Sequence, residues 1–330
     1  MLQFAVMVTL AVVAGADLKF LSVKSVRAAQ KTFPTGDPSF AVMQAFPSAF
    51  TAQEADPFLM CDMFGPMLSE GPVANPDEFP ISWHPHRGMD VVTYLIDGIG
   101  RHADSMGNRE EFASPGMQWC AAGSGIEHAE GGGTPAGQNT TGFQIWINVP
   151  AQHKMDDPRY GTVQPADFPM IRAQGGVLGR VIAGTVTSQE GAAPLVGPLK
   201  SIAKVQVVDY VLPAGQSILH SLEAGLDNCI VVAYRGAGAV CEKAIAMHQA
   251  ARLGADEGDA RTLSLKAGPE GLSAMVFAGR RLNEPIAWHG PIVMNSQEQL
   301  QEAFMELRRG TFLKKRASWD YRRAAAKSNK

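Results

Sequence analysis

The sequence has few cysteines, few charged residues and no long apolar run. Its 330 residues include four cysteines, none of them in a C-x-x-C pair, so neither a disulfide framework nor a zinc knuckle is expected. Charged residues make up 18% of the chain and the formal net charge is −3, which excludes a strongly basic nucleic-acid-binding protein. The G-x-G-x-x-G, G-K-[ST] and G-x-S-x-G patterns are absent, and with them the sequence signals for phosphate binding and for a serine hydrolase.

One apolar run lies near the N-terminus, at residues 4–16. Its length of about 13 residues is too short to span a bilayer. The small residues Ala14, Gly15 and Ala16 are typical of a signal-peptide cleavage site, but no Lys or Arg precedes the run. We therefore expect a cytoplasmic protein without a membrane span, in which residues 1–21 form an N-terminal extension. Export through a signal peptide at residues 1–16 is the alternative.

The C-terminus differs in charge from the rest of the chain. Residues 308–330 contain nine basic residues and one acidic residue, Asp320, so the remainder has 20 basic against 31 acidic residues. A basic tail at residues 313–330 can contact nucleic acid or anionic lipid, although a solvated chain end is the simpler interpretation. Nucleic acid is expected as a partner only through this tail.

Glycine and proline are abundant, with 34 and 21 residues, and they separate short β-like runs in two halves of the chain. Residues 91–96 are such a run in the first half, and residues 205–211 are one in the second. Many short strands at this spacing predict an all-β protein with a sandwich or barrel in each half. A helix is predicted only at residues 297–309, where Ser296 precedes the helical pattern and Gly310 follows it.

Histidines are concentrated in one part of the chain, since five of the eight lie between residues 84 and 153. Side chains at i and i+2 of an extended chain point to the same face, so His84 and His86 can face one point. His128 and Glu130 offer an imidazole and a carboxylate from another strand in the same way. Three nitrogens and one oxygen suit Fe(II), Mn(II), Co(II), Ni(II) or Cu(II) and leave positions open for substrate or O₂. Structural zinc fits less well, because no thiolate is near.

The remaining candidates are single residues. His102, His153 and Trp119 are interpreted as structural residues or as pocket-lining groups. In the second half of the chain, no histidine has an i+2 partner, so these residues are expected to be ordinary core or surface histidines: His220, His248 and His289.

The residues around the histidine pairs resemble those of the pirin family. The resemblance rests on HPHRGMDVVTYLIDG (residues 84–98), HADSMGN (102–108), SPGMQWCAAGSGIEHAEG (114–131), GFQIWINVPAQHKMDDPRY (142–160) and LNEPIAWHGPIVMN (282–295). It implies a bicupin, with two cupin-type β-barrels and a short C-terminal helix. Residues 22–160 would form the metal-binding cupin domain and residues 161–312 a second cupin domain without a metal.

The resemblance also implies which residues bind the metal and what the protein does. The family's ligands fall on His84, His86, His128 and Glu130, and the expected ion is Fe(II), with Mn, Ni, Co, Cu or Zn as alternatives. Some pirins open flavonols with O₂, so a quercetin 2,3-dioxygenase-like activity of a monomer is expected, with Glu130 as general base. The alternative is a non-catalytic, metal- or redox-dependent regulator that binds a transcription factor or a metabolic enzyme.

The sequence departs from the family pattern at two positions near the proposed site. Asp90 stands where the family has Glu, and Cys120 stands where a Met is common. Neither position is a family ligand, so the departures bear on the lining of the pocket and leave the four proposed ligands intact.

Overall fold

The structure is a computed structural model that describes residues 19–34, 36, 40–187, 193–255 and 260–323. The all-β prediction is confirmed, since strands make up 52% of the described residues and helices 9%. The signal-like run at residues 4–16 lies outside the described residues. Among the residues that are described, no helix has the length and apolar character needed to cross a membrane.

The described residues form 24 strands, two α-helices and three short 3₁₀ helices. The strands are, in chain order, β1 (Ser22–Ala28), β2 (Gln30–Thr32), β3 (Val42–Phe46), β4 (Phe58–Leu68), β5 (Ile81–His86), β6 (Met89–Asp97), β7 (Ile99–Asp104), β8 (Arg109–Ala113), β9 (Gly116–Ala121), β10 (Ile126–Glu130), β11 (Asn139–Asn148), β12 (Arg159–Val163), β13 (Met170–Arg172), β14 (Leu178–Ala183), β15 (Thr185–Val186), β16 (Leu195–Val196), β17 (Val205–Leu212), β18 (Ser217–Ser221), β19 (Asn228–Val240), β20 (Lys243–Ala246), β21 (Gln249–Gly254), β22 (Thr262–Gly279), β23 (Ala287–His289) and β24 (Ile292–Met294). The helices are α1 (Ala52–Ala55) and α2 (Gln297–Arg309), with 3₁₀ turns at Ala151–His153, Pro165–Asp167 and Gln174–Gly176.

The chain divides into two compact units, each built from segments that are separated in sequence. The N barrel takes the described residues of 33–42, 58–166 and 282–330, and the C barrel takes those of 1–32, 43–57 and 167–281. Helix α2 and the segment after it thus belong to the N barrel. The boundaries proposed from the sequence, at residues 22–160 and 161–312, stay a prediction.

Two antiparallel sheets form most of the N barrel, and β23 and β24 pair in a further two-stranded sheet. Within this unit, one has the strand order β12-β9-β6-β11-β4 and the other the order β5-β10-β7-β8. The strands are short runs rich in β-branched and aromatic residues, such as MDVVTYLID in β6, which is the composition that fits a half-buried or buried strand. Their closure into a barrel gives the unit an interior that side chains from both sheets can reach.

The C barrel is built around one large antiparallel sheet. Its strand order is β1-β21-β19-β22-β17-β14-β13, and β18 and β20 pair with β22 and β19. The core is apolar and includes the fully buried side chains of Val208, Val231 and Val276. The prediction of a strand-built unit in each half of the chain is therefore confirmed.

Helix α2 spans Gln297–Arg309, as the sequence predicts. The side chain of Ser296 accepts a hydrogen bond from the backbone N–H of Gln299, and the Gln299 side chain accepts one from the backbone of Ser296. Gly310 adopts φ +70°, the left-handed conformation in which many helices end and which glycine adopts most readily. Local capping therefore sets both ends of this helix.

His220 on β18 is a buried histidine whose two ring nitrogens are both satisfied. The side chain is 2% exposed, its Nδ1 accepts a hydrogen bond from the Tyr210 hydroxyl at 2.9 Å, and its Nε2 donates to Oε1 of Gln206 at 3.1 Å. Burial lowers the pKa of His220 to about 4. This residue is a core histidine, as the sequence predicts.

We expect His220 to make the free energy of unfolding depend on pH. The unfolded chain protonates it near pH 6.5 and the folded C barrel only near pH 4. The unfolded state therefore binds more protons in this window, and stability falls as the pH falls from 6.5 to 4. The full difference corresponds to about 3 kcal/mol.

The variant His220→Gln should lose this part of the pH dependence, as measured by urea unfolding at about pH 7 and about pH 4.5. His289→Gln, at an exposed histidine of the N barrel, is the matched control and should follow the wild type. A His220→Gln variant with the pH dependence of the wild type would contradict the assignment.

Candidate metal centre

Three histidine side chains converge inside the N barrel. Strand β5 carries His84 and His86, strand β10 carries His128, and the two strands pair antiparallel with His128 opposite His84. One ligand nitrogen from each ring lies within 4.8 Å of the others, and Nε2 of His84 is 2.9 Å from Nε2 of His128. The three imidazoles meet at one point, and the group could hold a metal ion.

Burial keeps two of these rings neutral. His86 and His128 are 1% and 0% exposed. Burial, together with the neighbouring His84 ring, holds the pKa of each well below the ordinary value of 6.5. A neutral imidazole has a lone pair on one nitrogen and is the form that binds a metal ion. The electrostatics of the site therefore favour ligand binding over protonation at neutral pH.

The hydrogen bonds of the rings leave nitrogens for an ion. His84 Nδ1 donates to the Ser82 carbonyl at 2.8 Å, which leaves the lone pair on its Nε2. Within the described part of the chain, neither nitrogen of His86 makes a hydrogen bond of normal geometry, nor does Nδ1 of His128. The backbone of Pro291 raises the pKa of His86, but by less than burial lowers it. Buried polar atoms without partners are rare. Three imidazoles with nitrogens turned to one point fit a divalent first-row transition ion.

Glu130 lies two residues after His128 on β10, and its carboxylate is held by hydrogen bonds. Oε2 accepts from the Thr93 hydroxyl at 2.7 Å and from Nε2 of Gln118 at 2.8 Å. The group of mutually close ligand atoms consists of the three histidines. The roles of Glu130 as fourth ligand and as general base therefore stay predictions.

Aromatic side chains flank the histidines. Trp146 on β11 lies edge-on to His86, with ring centroids 5.3 Å apart, and Trp288 on β23 lies 5.8 Å from Trp146. Nε1 of Trp146 is buried without a partner among the described residues, whereas Nε1 of Trp288 donates to the Gly290 carbonyl at 2.8 Å. The site thus presents an aromatic surface and one free N–H donor beside the imidazoles.

Of the single residues considered from the sequence, His102 lies beside the three histidines. Its ring is 5.5 Å from that of His128 and stacks on Tyr160 at 4.3 Å. His153 is instead paired with Asp156 near the surface, at 2.8 Å. Trp119 is 7% exposed and lies 5.8 Å from the guanidinium of Arg159; its role as a structural or pocket-lining residue stays a prediction.

Comparison with known proteins decides the family. The Pirin family model matches residues 39–147, and the model of the pirin C-terminal cupin domain matches residues 207–313. A protein of Pseudomonas aeruginosa named "Putative quercetin 2,3-dioxygenase" is 36% identical over 261 residues, which cover 77% of this chain and 86% of that protein. The chain belongs to the pirin family.

Two further proteins are similar to this pirin along most of its length. A pirin-like protein of Caulobacter vibrioides is 33% identical over 280 residues, covering 84% of this chain and 95% of the relative. A crystal structure of quercetin 2,3-dioxygenase from Acinetobacter baumannii superposes with a TM-score of 0.77 and 28% identity, covering 89% of this chain and 98% of that one. The prediction of a bicupin with a short C-terminal helix is confirmed.

The two departures of this pirin from the family pattern concern buried residues. Asp90 and Cys120 are 1% and 0% exposed. Burial raises the pKa of the Cys120 thiol well above its ordinary value, and the carboxylates of Asp104, Glu130 and Asp90 add to the effect. The thiol therefore stays protonated and does not compete with the imidazoles as a thiolate ligand.

The turn after β5 is fixed by a buried lysine. Lys154 is 1% exposed, and its Nζ donates to the Gly88 carbonyl at 2.6 Å, to Oδ1 of Asn148 at 2.5 Å and to the Val293 carbonyl at 3.3 Å. Gly88 itself adopts φ +81°, and a Cβ at this position would lie 2.0 Å from the Val293 oxygen. The lysine thus joins the turn that follows His86 to β11 and β24.

Arg87, the residue after the second histidine, makes a similar set of contacts. Its Nε donates to the Ser124 carbonyl at 2.8 Å, and Nη2 donates to Oε2 of Glu306 at 2.6 Å and to the Phe312 carbonyl at 2.8 Å. Its guanidinium also lies 4.2 Å from the centre of the Phe312 ring. Helix α2 and the residues after it therefore hold the end of β5 in place.

We expect Lys154→Met to destabilise the protein by about 2–4 kcal/mol, because it removes the buried ammonium that donates to the Asn148 side chain and to two carbonyls. Denaturant unfolding at neutral pH measures the loss. Lys315→Met, at a half-exposed lysine paired with Asp157 on the surface, is the control and should cost about 0–1 kcal/mol. Equal stability of the two variants would contradict the role given to Lys154.

Proposed function

We propose that this pirin is a metal-dependent dioxygenase that opens flavonols such as quercetin with O₂. The observation that carries the proposal is the cluster of three closely spaced imidazoles beside an aromatic surface. Support also comes from the Pseudomonas relative and the Acinetobacter structure, whose names state a quercetin 2,3-dioxygenase.

His84, His86 and His128 are the residues that would hold the ion, and Fe(II) is the ion we propose, with Mn, Ni, Co, Cu or Zn as the alternatives. When bound, such an ion would supply Lewis acidity, and a redox-active one such as Fe(II) would also supply a redox partner for O₂. The burial of His86 and His128 removes water from around the site, which strengthens electrostatic interactions within it.

Glu130 is the residue we propose as general base. Both of its hydrogen bonds, from Thr93 and Gln118, go to Oε2, so Oε1 can accept the proton of a substrate hydroxyl. The two donors hold the carboxylate in one orientation while it does so. A buried base that is oriented by neighbouring donors requires no further rearrangement to take the proton.

Trp146 and Trp288 are the residues we propose to contact the flat rings of the substrate. A flavonol is planar and aromatic, and aromatic side chains bind such ligands by edge and face contacts. The unpartnered Nε1–H of Trp146 can donate to a substrate oxygen, which would orient the ring system beside His86. A cytoplasmic location and a monomeric state stay predictions.

Purified protein should contain a first-row transition metal and consume O₂ when a flavonol such as quercetin is added. His128→Ala should lose most of the metal and the flavonol-dependent O₂ consumption, because it removes one of three ligands. Far-ultraviolet circular dichroism of this variant should stay close to that of the wild type, since the strand framework of both barrels is retained.

His153→Ala is the matched control, because His153 lies near the surface and is paired with Asp156; it should keep metal and activity. Metal bound at full occupancy with no turnover across a panel of flavonols would contradict the proposed activity. Global unfolding of His128→Ala would show that the metal has a structural role instead.

The substitution Glu130→Gln should retain the metal and lower kcat by about 10²–10⁴-fold, because the amide cannot take a proton. Its carbonyl oxygen can still accept the hydrogen bonds from Thr93 and Gln118, so the orientation of the side chain is preserved. Metal analysis and steady-state kinetics test this. Unchanged kcat would exclude Glu130 as the base, and loss of the metal would assign it as a ligand.

A further inference from the structure

Two of the three histidines, His84 and His86, lie on β5, an edge strand that pairs with one neighbour in its sheet. Strand β5 is at the end of the order β5-β10-β7-β8, so β10 is its neighbour in the sheet. Pro85, between His84 and His86, has no backbone N–H to donate. The positions of these two imidazoles therefore depend on contacts outside the sheet as well as on the pairing with β10.

The outward side of β5 and β10 is contacted by the C-terminal segment 314–323. Side chains alternate along a strand, so Trp83 points away from the side of His84, and Glu127 points away from the side of His128. Tyr321 reaches both of these outward residues. Its ring lies 5.3 Å from that of Trp83, and its hydroxyl donates to Oε2 of Glu127 at 2.7 Å.

The contact of Tyr321 with β5 and β10 is buried, and two neighbouring arginines add to it. The residue is 5% exposed, and the guanidinium of Arg316 lies 5.2 Å from the centre of its ring. Nη2 of Arg322 donates to the same Glu127 oxygen at 2.8 Å. One carboxylate on β10 thus accepts two hydrogen bonds from neighbouring residues of the segment, one of them charge-assisted.

The backbone of the segment is connected to β10 through Ser105, the residue after β7. The N–H of Ala317 donates to the Ser105 carbonyl at 2.7 Å. Ser105 is in turn bonded to Glu127 twice, from its backbone N–H to the Glu127 carbonyl at 2.8 Å and from the Glu127 N–H to its Oγ at 3.1 Å. The segment, Ser105 and the residue before His128 therefore form one connected hydrogen-bonded network.

We propose that residues 314–323 are a brace for the metal centre, in which Tyr321 and Arg322 are positioning residues that hold β5 and β10 in the register needed for three-histidine binding. Tyr321 is the key member because a single side chain contacts both strands that carry the ligands. The segment begins after residue 313, where the match to the family models ends. The inference rests on the proposed metal binding by His84, His86 and His128.

The brace also accounts for part of the basic tail. Lys314 donates to Oε1 of Glu306 at 2.5 Å, Lys315 pairs with Asp157, and Arg322 pairs with Glu127. These three basic residues are thus used within the N barrel. Residues 324–330 of the predicted tail lie outside the described residues.

The test is Co(II) binding to the full-length apoprotein, followed by isothermal titration calorimetry, together with amide hydrogen exchange of the metal-free protein. Tyr321→Ala should raise the Kd for Co(II) by roughly tenfold, the lower end of the effect of residues that orient metal ligands. It should also speed exchange at residues 83–86 and 126–130 while leaving that of β19 in the C barrel unchanged. Tyr321→Phe keeps the ring contact and should show a smaller effect of the same kind.

Arg323→Gln, at a neighbouring arginine whose side chain is 82% exposed, is the matched control and should behave as the wild type. A Tyr321→Ala variant that binds Co(II) as tightly as the wild type would overturn the brace, including the case in which its melting temperature falls. Wild-type protein that binds no Co(II) would overturn the proposed function, and the exchange of residues 83–86 would still decide whether the segment holds β5.

Discussion

The register between β5 and β10 is the constraint on which the metal centre depends. It places His128 opposite His84, with His86 two residues further along the same face, and so brings three imidazoles within 4.8 Å. Because side chains alternate along a strand, a slip of one residue in either strand would turn its histidines away from the barrel interior. Strand β5 is an edge strand that contains Pro85, and the contacts around it support this register.

Those contacts act on β5 from three directions. Lys154 fixes the turn at Gly88, Arg87 ties the end of the strand to α2, and Tyr321 covers its outward side. All three supports belong to the N barrel, although they come from segments that are far apart in sequence. This arrangement explains why the unit combines residues 58–166 with the C-terminal residues 282–323.

A comparison of His86 with His220 shows what distinguishes a buried histidine that can bind a metal ion from one that only packs in the core. Burial lowers the pKa of both His86 and His220, so both are neutral at physiological pH. His220 has a hydrogen bond on each ring nitrogen, whereas neither nitrogen of His86 has a partner of normal geometry among the described residues. The two residues differ in whether their ring nitrogens have hydrogen-bond partners, and only His86 has a lone pair left for an ion.

Much of the fold and the core of the site follow from local patterns. Alternation along β5 and β10 predicts the facing histidines, and the capping residues Ser296 and Gly310 predict the limits of α2. The supporting groups could not be predicted in this way, because Thr93, Gln118 and Trp146 come from three different strands and reach the site only once these strands pair. Alternation along β11 predicts the face on which Trp146 lies, but that pattern does not say which residues of other strands it contacts.

The contacts of the C-terminal segment could not be predicted from the sequence either. Nine basic residues in residues 308–330 indicate a solvated or anion-binding end, and no local pattern shows that Tyr321 lies against Trp83, more than 200 residues earlier in the chain. Long-range packing of this kind depends on the tertiary structure. The same holds for the division into two units, each of which draws on separated parts of the chain.

Anomalous X-ray diffraction from crystals of the metal-loaded protein, collected at the absorption edge of the bound ion, tests the central claim most directly. The account predicts one strong anomalous peak per chain, within bonding distance of a nitrogen of His84, His86 and His128. A principal peak elsewhere, for example between His153 and Asp156 or inside the C barrel, would contradict it.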